Sequence, residues 1–527
     1  MEKKLITAIA LSILIIVAFQ YFLVKPVPPA PVTAPKGTVP QKGVEILPVA
    51  ESQNLPAEKE TEAITDKYVI TFSNIGGSIK DIKLKDYKTL NSKEPLDLVR
   101  IANPKEHLFN MSDLLSGQTF DLVDYELKTE GLTITYALTT KDYAIKKKYI
   151  LHKYLYNIEL EILVKNLSAS PKEFAYSIIG GADLTEKNAQ DKRLIEVRSK
   201  VDGKTVGFKR PRRGERIINL GMVGWSALKN KYFSLILKPF AQTRGEFCYE
   251  DPEGNLITGV DSEKTTIQPG DFIEHKYSLY VGPSDIATLK EFGYGVEESV
   301  NYGMFGGISK GIIVVLRLCY SVVRNWGLSI IILSVLLNVI LFPLTMNSFK
   351  SMQKMQELHP QMEKLKTQFK DQPQKLNKEI MELYKKYNIN PFSGCLPILL
   401  QMPIFIALYQ ALMKSIELRG ASFLWIRDLS SPEAIPLPVS FPIIGDSINI
   451  LPLIMVAAMV IQQKISTASA GSAITEEQKQ QQKMMLIIMP IMFGFIFYNM
   501  PSGLVLYWSV NTLLTIIEQA AILRKAQ

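Results

Sequence analysis

The chain has 527 residues, 47% of them apolar and 21% charged, with a net charge of +9. That length holds two or three structural units, and the apolar content excludes fibrous and wholly disordered classes. A mean hydropathy of +0.09 is high for a soluble protein, yet the charge is too dense for a chain buried wholly in lipid.

In chain order, Met1-Glu-Lys-Lys precedes an apolar run from Leu5 to Val24. Twenty helical residues reach about 30 Å, the thickness of the hydrocarbon core. The following Lys25-Pro26-Val27-Pro28-Pro29 has no small-x-small cleavage site, so 1–24 is expected to be an uncleaved anchor with Lys3 and Lys4 in the cytoplasm. Residues 25–64, rich in Pro, Lys, Glu, Ala and Thr, read as a flexible linker.

From Lys67 the pattern becomes short and alternating. Lys67–Phe72, Thr133–Leu138, Tyr143–Ile150, Tyr156–Val164, Tyr232–Lys238 and Phe272–Val281 are predicted strands. Asn74-Ile75-Gly76-Gly77, Gly180-Gly181 and Pro252-Glu253-Gly254 are turn signals between them. Residues 65–285 are therefore expected to form a large antiparallel β-sandwich. The basic stretch Lys204–Arg216 reads as a solvated loop, with a lipid-headgroup contact as the second reading.

Residues 301–527 carry 20 Lys/Arg against 12 Asp/Glu. Nearly all the positive excess therefore lies among long apolar runs, which points to membrane topology and not to direct nucleic-acid binding. Residues 286–325 are expected to be a linker followed by an amphipathic interfacial helix, Gly306–Arg324. Residues 326–527 hold five further apolar stretches: Gly327–Met346, Cys395–Met413, Ile448–Ile461, Met484–Met500 and Gly503–Ile522. The third and fourth are short, and short spans thin the bilayer locally. Between the first two, Asn347–Asn390 holds nine Lys and five acidic residues and reads as a helical hairpin outside the membrane. With the anchor N-terminus inside, Lys/Arg concentrate in the hairpin, the loop Lys464–Lys483 and the tail. The expectation is six spans, both termini cytoplasmic, and the β domain exported.

Cys248, Cys319 and Cys395 show no pairing or metal spacing, and the four histidines are scattered. No P-loop is present. No catalytic residue, metal or cofactor is expected. Asn338, Gln401, Gln410, Gln462, Asn511, Thr512, Thr515 and Glu518 lie in or near the apolar runs. In lipid such groups must meet one another or water. Interhelical hydrogen bonding and a wet cavity are both open on these residues alone. A small-solute channel, and an anchored sugar-active enzyme in residues 65–285, are the competing function classes.

An ordered set of motifs narrows the choice. Asn325-Trp326-Gly327-Leu328-Ser329-Ile330-Ile331 is followed by Phe342-Pro343-Leu344-Thr345, Tyr384-Lys385, Asn390-Pro391, Gly394-Cys395-Leu396-Pro397 and Gln401-Met402-Pro403-Ile404-Phe405. Then come Leu424-Trp425-Ile426, Asp428-Leu429 and Pro501-Ser502-Gly503-Leu504-Val505-Leu506-Tyr507-Trp508. Over residues 325–520 this pattern closely resembles the YidC family of membrane protein insertases, in its Gram-negative form with a large periplasmic domain. The resemblance implies a multi-domain inner-membrane protein, non-enzymatic, with an N-terminal anchor, a periplasmic β-supersandwich, a five-helix core and a cytoplasmic hairpin. It implies chaperone and insertase work on nascent membrane proteins, alone or with the Sec translocon, in contact with the bilayer. The hairpin becomes a candidate contact for ribosomes or targeting factors.

By position, the resemblance assigns a polar, cytoplasm-facing groove to Ser334, Asn338, Gln401, Asn511, Thr512 and Thr515. It assigns an apolar substrate slide to Met402, Phe405, Tyr507 and Trp508. One departure stands out. Family members usually carry a basic residue, commonly Arg, where this chain has Asn338. Arginine attracts acidic segments electrostatically, whereas asparagine only hydrogen-bonds.

Overall fold

A computed structural model describes residues 42–46, 56–89, 94–115, 120–184, 194–369, 372–387, 396–441, 445–468 and 476–526. The expected anchor, Leu5–Val24, lies outside the described residues. The chain divides into two units, Met1–Val300 and Asn301–Gln527.

The first unit is built from antiparallel sheets. A nine-stranded sheet runs in the order Lys204–Gly207, Glu196–Val201, Val223–Lys229, Phe233–Pro239, Phe272–Pro283, Asn157–Asn166, Tyr143–Leu151, Thr133–Thr139, Glu126–Glu130. A six-stranded sheet runs Lys42–Ile46, Glu215–Leu220, Thr243–Glu250, Leu256–Ser262, Tyr176–Gly181, Met111–Asp113. A four-stranded sheet, Glu60–Ile64 to Pro95–Arg100, adds to the core. All six strands expected from alternation are present to within a few residues at their ends.

Three expectations change. The supposed linker 25–64 contains two strands, Lys42–Ile46 and Glu60–Ile64, paired respectively to Glu215–Leu220 and Tyr68–Ser73. Gly180-Gly181 is the bulged end of a strand, not a turn. The basic stretch opens as a strand, Lys204–Gly207. Beyond that strand, Arg210 donates to Glu250 and to the Gly254 carbonyl.

The nine- and six-stranded sheets pack face to face because glycines let them approach. A Cβ on Gly180 would meet the Leu237 side chain at 2.5 Å, and one on Gly181 would meet the Leu228 side chain at 2.7 Å, both across the gap between the sheets. Along Tyr143–Leu151 every second residue is buried, and Lys147 falls in that inward series. Its ammonium donates to the carbonyls of Gly76 (2.6 Å) and Phe109 (2.9 Å), which satisfies it without a carboxylate. Burial holds its pKa down to about 7. Gly76 and Gly77 hold positive φ values, 66° and 51°, in the turn that offers the Gly76 carbonyl to Lys147 and the Gly77 carbonyl to the Tyr149 hydroxyl.

Glu246 is enclosed between the sheets, where Ser226 Oγ donates to it at 2.5 Å. Burial raises its pKa from 4.5 to about 8. A carboxyl raised in the folded state stabilises fully below its unfolded pKa and loses that contribution as pH rises through the folded one. The loss thus runs from about pH 4.5 to about pH 8, at roughly 1.4 kcal/mol for each pH unit crossed. Glu246→Gln should remove this slope. Denaturant melts at pH 5 and pH 8.5 should show a smaller fall in stability for the variant, by about 3–4 kcal/mol. Equal falls in both proteins would sink the assignment. Glu106, raised to about 7 by burial and then by Asp251, leaves a residual slope in both.

The first unit closes with helix α1, Ile286–Phe292, capped by the Asp285 side chain. The second unit is helical: α2 Gly306–Val323, α3 Trp326–Glu357, α4 His359–Gln368, α5 Pro373–Lys386, α6 Leu396–Lys414, α7 Ile450–Ala468, α8 Glu476–Tyr498 and α9 Ser502–Ala526. Among the described residues α2 and Trp326–Ser348 of α3 are long and apolar enough to cross a membrane, and Ile450–Ile465 and Leu486–Tyr498 are shorter apolar stretches. One face of α2 packs through Ile312, Ile313, Leu316 and Cys319, and its open face carries Val314, Leu318 and Val322. Lys310 and Arg317 share that open face, so it is mixed apolar and basic.

Helix α3 runs 32 residues without a break, through Pro343. It absorbs Asn347–Glu357, so the hairpin is confined to α4 and α5. These pack antiparallel around Leu358 and Tyr384, with Met362, Ile380 and Leu383 against them. Between α6 and α7 the chain folds into a tight cap. Ser502 N and Oγ both donate to the Ser431 carbonyl at 2.8 Å, and Gly503 N donates to the Leu429 carbonyl at 2.8 Å. Glu433 accepts from Leu451 N at 2.7 Å and so caps the start of α7.

Candidate functional site

Ser334 and Asn338 are one turn apart on α3, so they share a face. That face meets α9, where Asn338 Nδ2 donates to Asn511 Oδ1 at 3.2 Å. From α6, Gln401 Nε2 donates to the Tyr507 hydroxyl on α9 at 3.1 Å. Helices α3, α6 and α9 all contact one another, so the two amide bonds tie a three-helix cluster together.

The hydroxyls behave differently. Ser334 donates to the Ile330 carbonyl (2.8 Å), Thr512 to Trp508 (2.9 Å) and Thr515 to Asn511 (2.8 Å). Each proton is spent within its own helix, which leaves each hydroxyl only its lone pairs to offer a further partner. Ser334 and Thr512 are buried; Asn338, Gln401, Asn511 and Thr515 are half-buried. Gln519, one residue beyond Glu518, is buried with Oε1 unpartnered. The span Trp326–Ser348 contains no charged residue.

The apolar set divides. Met402 is exposed. Phe405 and Trp508 meet edge to face at 5.1 Å. Phe493 and Phe497, on α8, complete the cluster at 5.6 and 5.2 Å from Trp508. Tyr507 is buried and points into the polar cluster, away from the aromatic one. Sequence reasoning missed Phe493 and Phe497. Their i, i+4 spacing was the available signal, but an apolar pair in an apolar helix has no contrast.

No group of three or more His, Cys, Asp or Glu able to hold a metal occurs among the described residues. In the first unit, buried Lys147 is tied to backbone carbonyls and buried Glu246 to the Ser226 hydroxyl, while buried Arg216 and Lys229 are ion-paired to Asp261 and Glu196.

Comparison with known proteins fixes the family. The family "60Kd inner membrane protein" matches residues 318–527, and the "YidC periplasmic domain" matches 61–315. The membrane protein insertase YidC of Geotalea daltonii is 33% identical over 99% of this chain and 99% of its own. The chain belongs to the YidC family of membrane protein insertases.

The YidC of Pelobacter propionicus is similar at 32% identity, over 98% of both chains. A solved active YidC insertase with its first transmembrane domain resolved aligns with 88% of this chain and 93% of its own, at 18% identity and a TM-score of 0.37. The family is not enzymatic, which removes the sugar-active alternative. The first unit accordingly corresponds to a YidC periplasmic β-sandwich, and the second to the helical region of an inner-membrane protein.

Proposed function

We propose that the α3–α6–α9 cluster is the path by which this insertase accepts the hydrophilic segment of a nascent membrane protein. The observation carrying this reading is the pair of interhelical hydrogen bonds made by side-chain amides, Asn338–Asn511 and Gln401–Tyr507, set among largely apolar helix surfaces. Both bonds are between neutral groups, so a substrate's peptide or side-chain dipoles exchange with them at low cost. Each such bond in lipid is worth about 0.6–2 kcal/mol, weak enough to open. The polar segment is thereby spared part of its desolvation penalty. The substrate's own apolar helix then moves into lipid over Met402, Phe405 and Trp508, at about 25 cal/mol per Å² buried.

In this reading the chain has six spans with both termini in the cytoplasm, and α4–α5 is a cytoplasmic hairpin offered to ribosomes or targeting factors. It works alone or beside the Sec translocon. The short apolar stretches of α7 and α8 thin the bilayer along the path. Reconstitution in liposomes with a short single-span substrate tests the core of it: no insertion, beside an active control insertase, overturns the proposal.

Asn338 makes the mechanism depend on dipoles more than on charge. Insertion by the wild-type protein should vary little with acidic residues in the substrate tail, whereas Asn338→Arg should introduce a clear preference for acidic tails. A strong acidic-charge dependence already present in the wild type would contradict this.

A further inference from the structure

The cap between α6 and α7 carries a feature that the groove does not use. Phe423 and Ile426 exchange both backbone hydrogen bonds at 2.9 Å, forming a two-residue turn with Leu424 and Trp425 at its tip. Leu424 is 74% exposed and Trp425 46% exposed. Leu424 also has φ +52°, a conformation that a bulky L-residue rarely adopts. A soluble surface would place Asn or Gly there.

The turn is held rigidly. Ile426 and Leu429 beneath it are buried, and Leu429 N donates to the Ala421 carbonyl at 2.9 Å. The Phe423 ring occupies the space that a Cβ on Gly327 would fill. Gly327 is the second residue of the α3 span, so the tip stands level with the first turn of a lipid-crossing helix. The Trp425 indole N–H is already donated to Glu433. Its exposed part is therefore hydrocarbon, with no polar atom seeking a protein partner. Leu328, 43% exposed, continues the apolar surface, and exposed Arg324 and Arg427 flank it. Apolar tip, aromatic ring and flanking guanidinium groups match the layering of a bilayer interface, from acyl chain to phosphate.

We infer that the Phe423–Ile426 turn is a rigid wedge seated in the interfacial layer of the lipid leaflet at the Trp326 end of α3. The inference rests on the membrane-embedded reading of the second unit. Its occupant is lipid, not a second protein.

The test uses the full chain reconstituted in vesicles of phosphatidylcholine and phosphatidylglycerol, with acyl chains brominated near the headgroup. Of the four tryptophans, Trp225 is fully buried in the first unit, so Trp425→Phe should remove roughly a third of the bromine-quenched emission. Quenching by aqueous iodide should be unchanged. In Leu424→Asn, which suits the left-handed turn and keeps the Trp425–Glu433 bond, bromine quenching of Trp425 should fall roughly twofold. Emission from Trp425 that responds to iodide, or to neither quencher, overturns the wedge, as does an unchanged Leu424→Asn. Flotation of the vesicles separates the two readings. A chain that does not float with lipid defeats both, and a floating chain with iodide-quenched Trp425 defeats the wedge alone.

Discussion

Replacing Asn338 and Asn511 together by leucine should slow insertion of a short single-span substrate about tenfold or more in proteoliposomes. Tenfold corresponds to about 1.4 kcal/mol, within the range of one hydrogen bond lost inside a membrane. The two residues bond to each other across α3 and α9, so the double variant replaces a polar contact by an apolar one of similar volume and leaves no unpartnered amide. The helix packing should survive, and thermal unfolding should shift little. Each single variant strands the other amide and should lose stability as well as rate. A double variant that inserts at the wild-type rate would mean that the pair only glues helices together, and the groove mechanism would fall.

The largest loss of stability at a single pH is expected at Gly259. Gly259→Ala should destabilise the β-sandwich by about 3 kcal/mol or more, in the class of severe core overpacking. The added Cβ would stand 2.1 Å from the Ile178 carbonyl oxygen and 2.6 Å from the Phe247 ring. The Phe247 contact is with the tip of a side chain, but the Ile178 carbonyl is backbone of the neighbouring strand and has no rotamer to change. Leu256–Ser262 is paired on both sides, to Thr243–Glu250 and Tyr176–Gly181, so any retreat breaks a ladder. The measurement is the denaturant midpoint followed by emission of Trp225, which lies in the same sandwich core. A midpoint equal to that of the wild type would show that the sheets have slack that the glycine contacts do not reveal.

What sequence could tell depended on contrast. Tyr143–Leu151 was legible because its faces alternate, buried and partly open. Tyr176–Gly181 and Leu256–Ser262 are buried at every position, so they show no period, and the terminal Gly-Gly of the first mimics a turn. Lys42–Ile46 sits in a proline-rich context and becomes a strand through its partner, not through its own composition. In the second unit the apolar runs located the helices, but not their ends. Asn347–Glu357 is polar, and only structure assigns it to α3. The polar groove residues were legible because a lone amide is conspicuous in an apolar run. Which way Tyr507 faces was not, since adjacent helical residues differ by a rotation that composition does not record.

The unbroken length of α3 has a mechanical consequence. Thirty-two residues extend about 48 Å, well past a hydrocarbon core of about 30 Å. Pro343 lies inside, and its missing N–H leaves the Val339 carbonyl without a helical donor. The helix therefore behaves as a lever with a soft point. Its arm beyond Pro343 is about 21 Å long, so a bend of about 20° would swing the far end by about 7 Å. Asn338 lies little more than one turn before that point. A load applied where α3 meets α4 would thus arrive beside the Asn338–Asn511 bond as a change of angle.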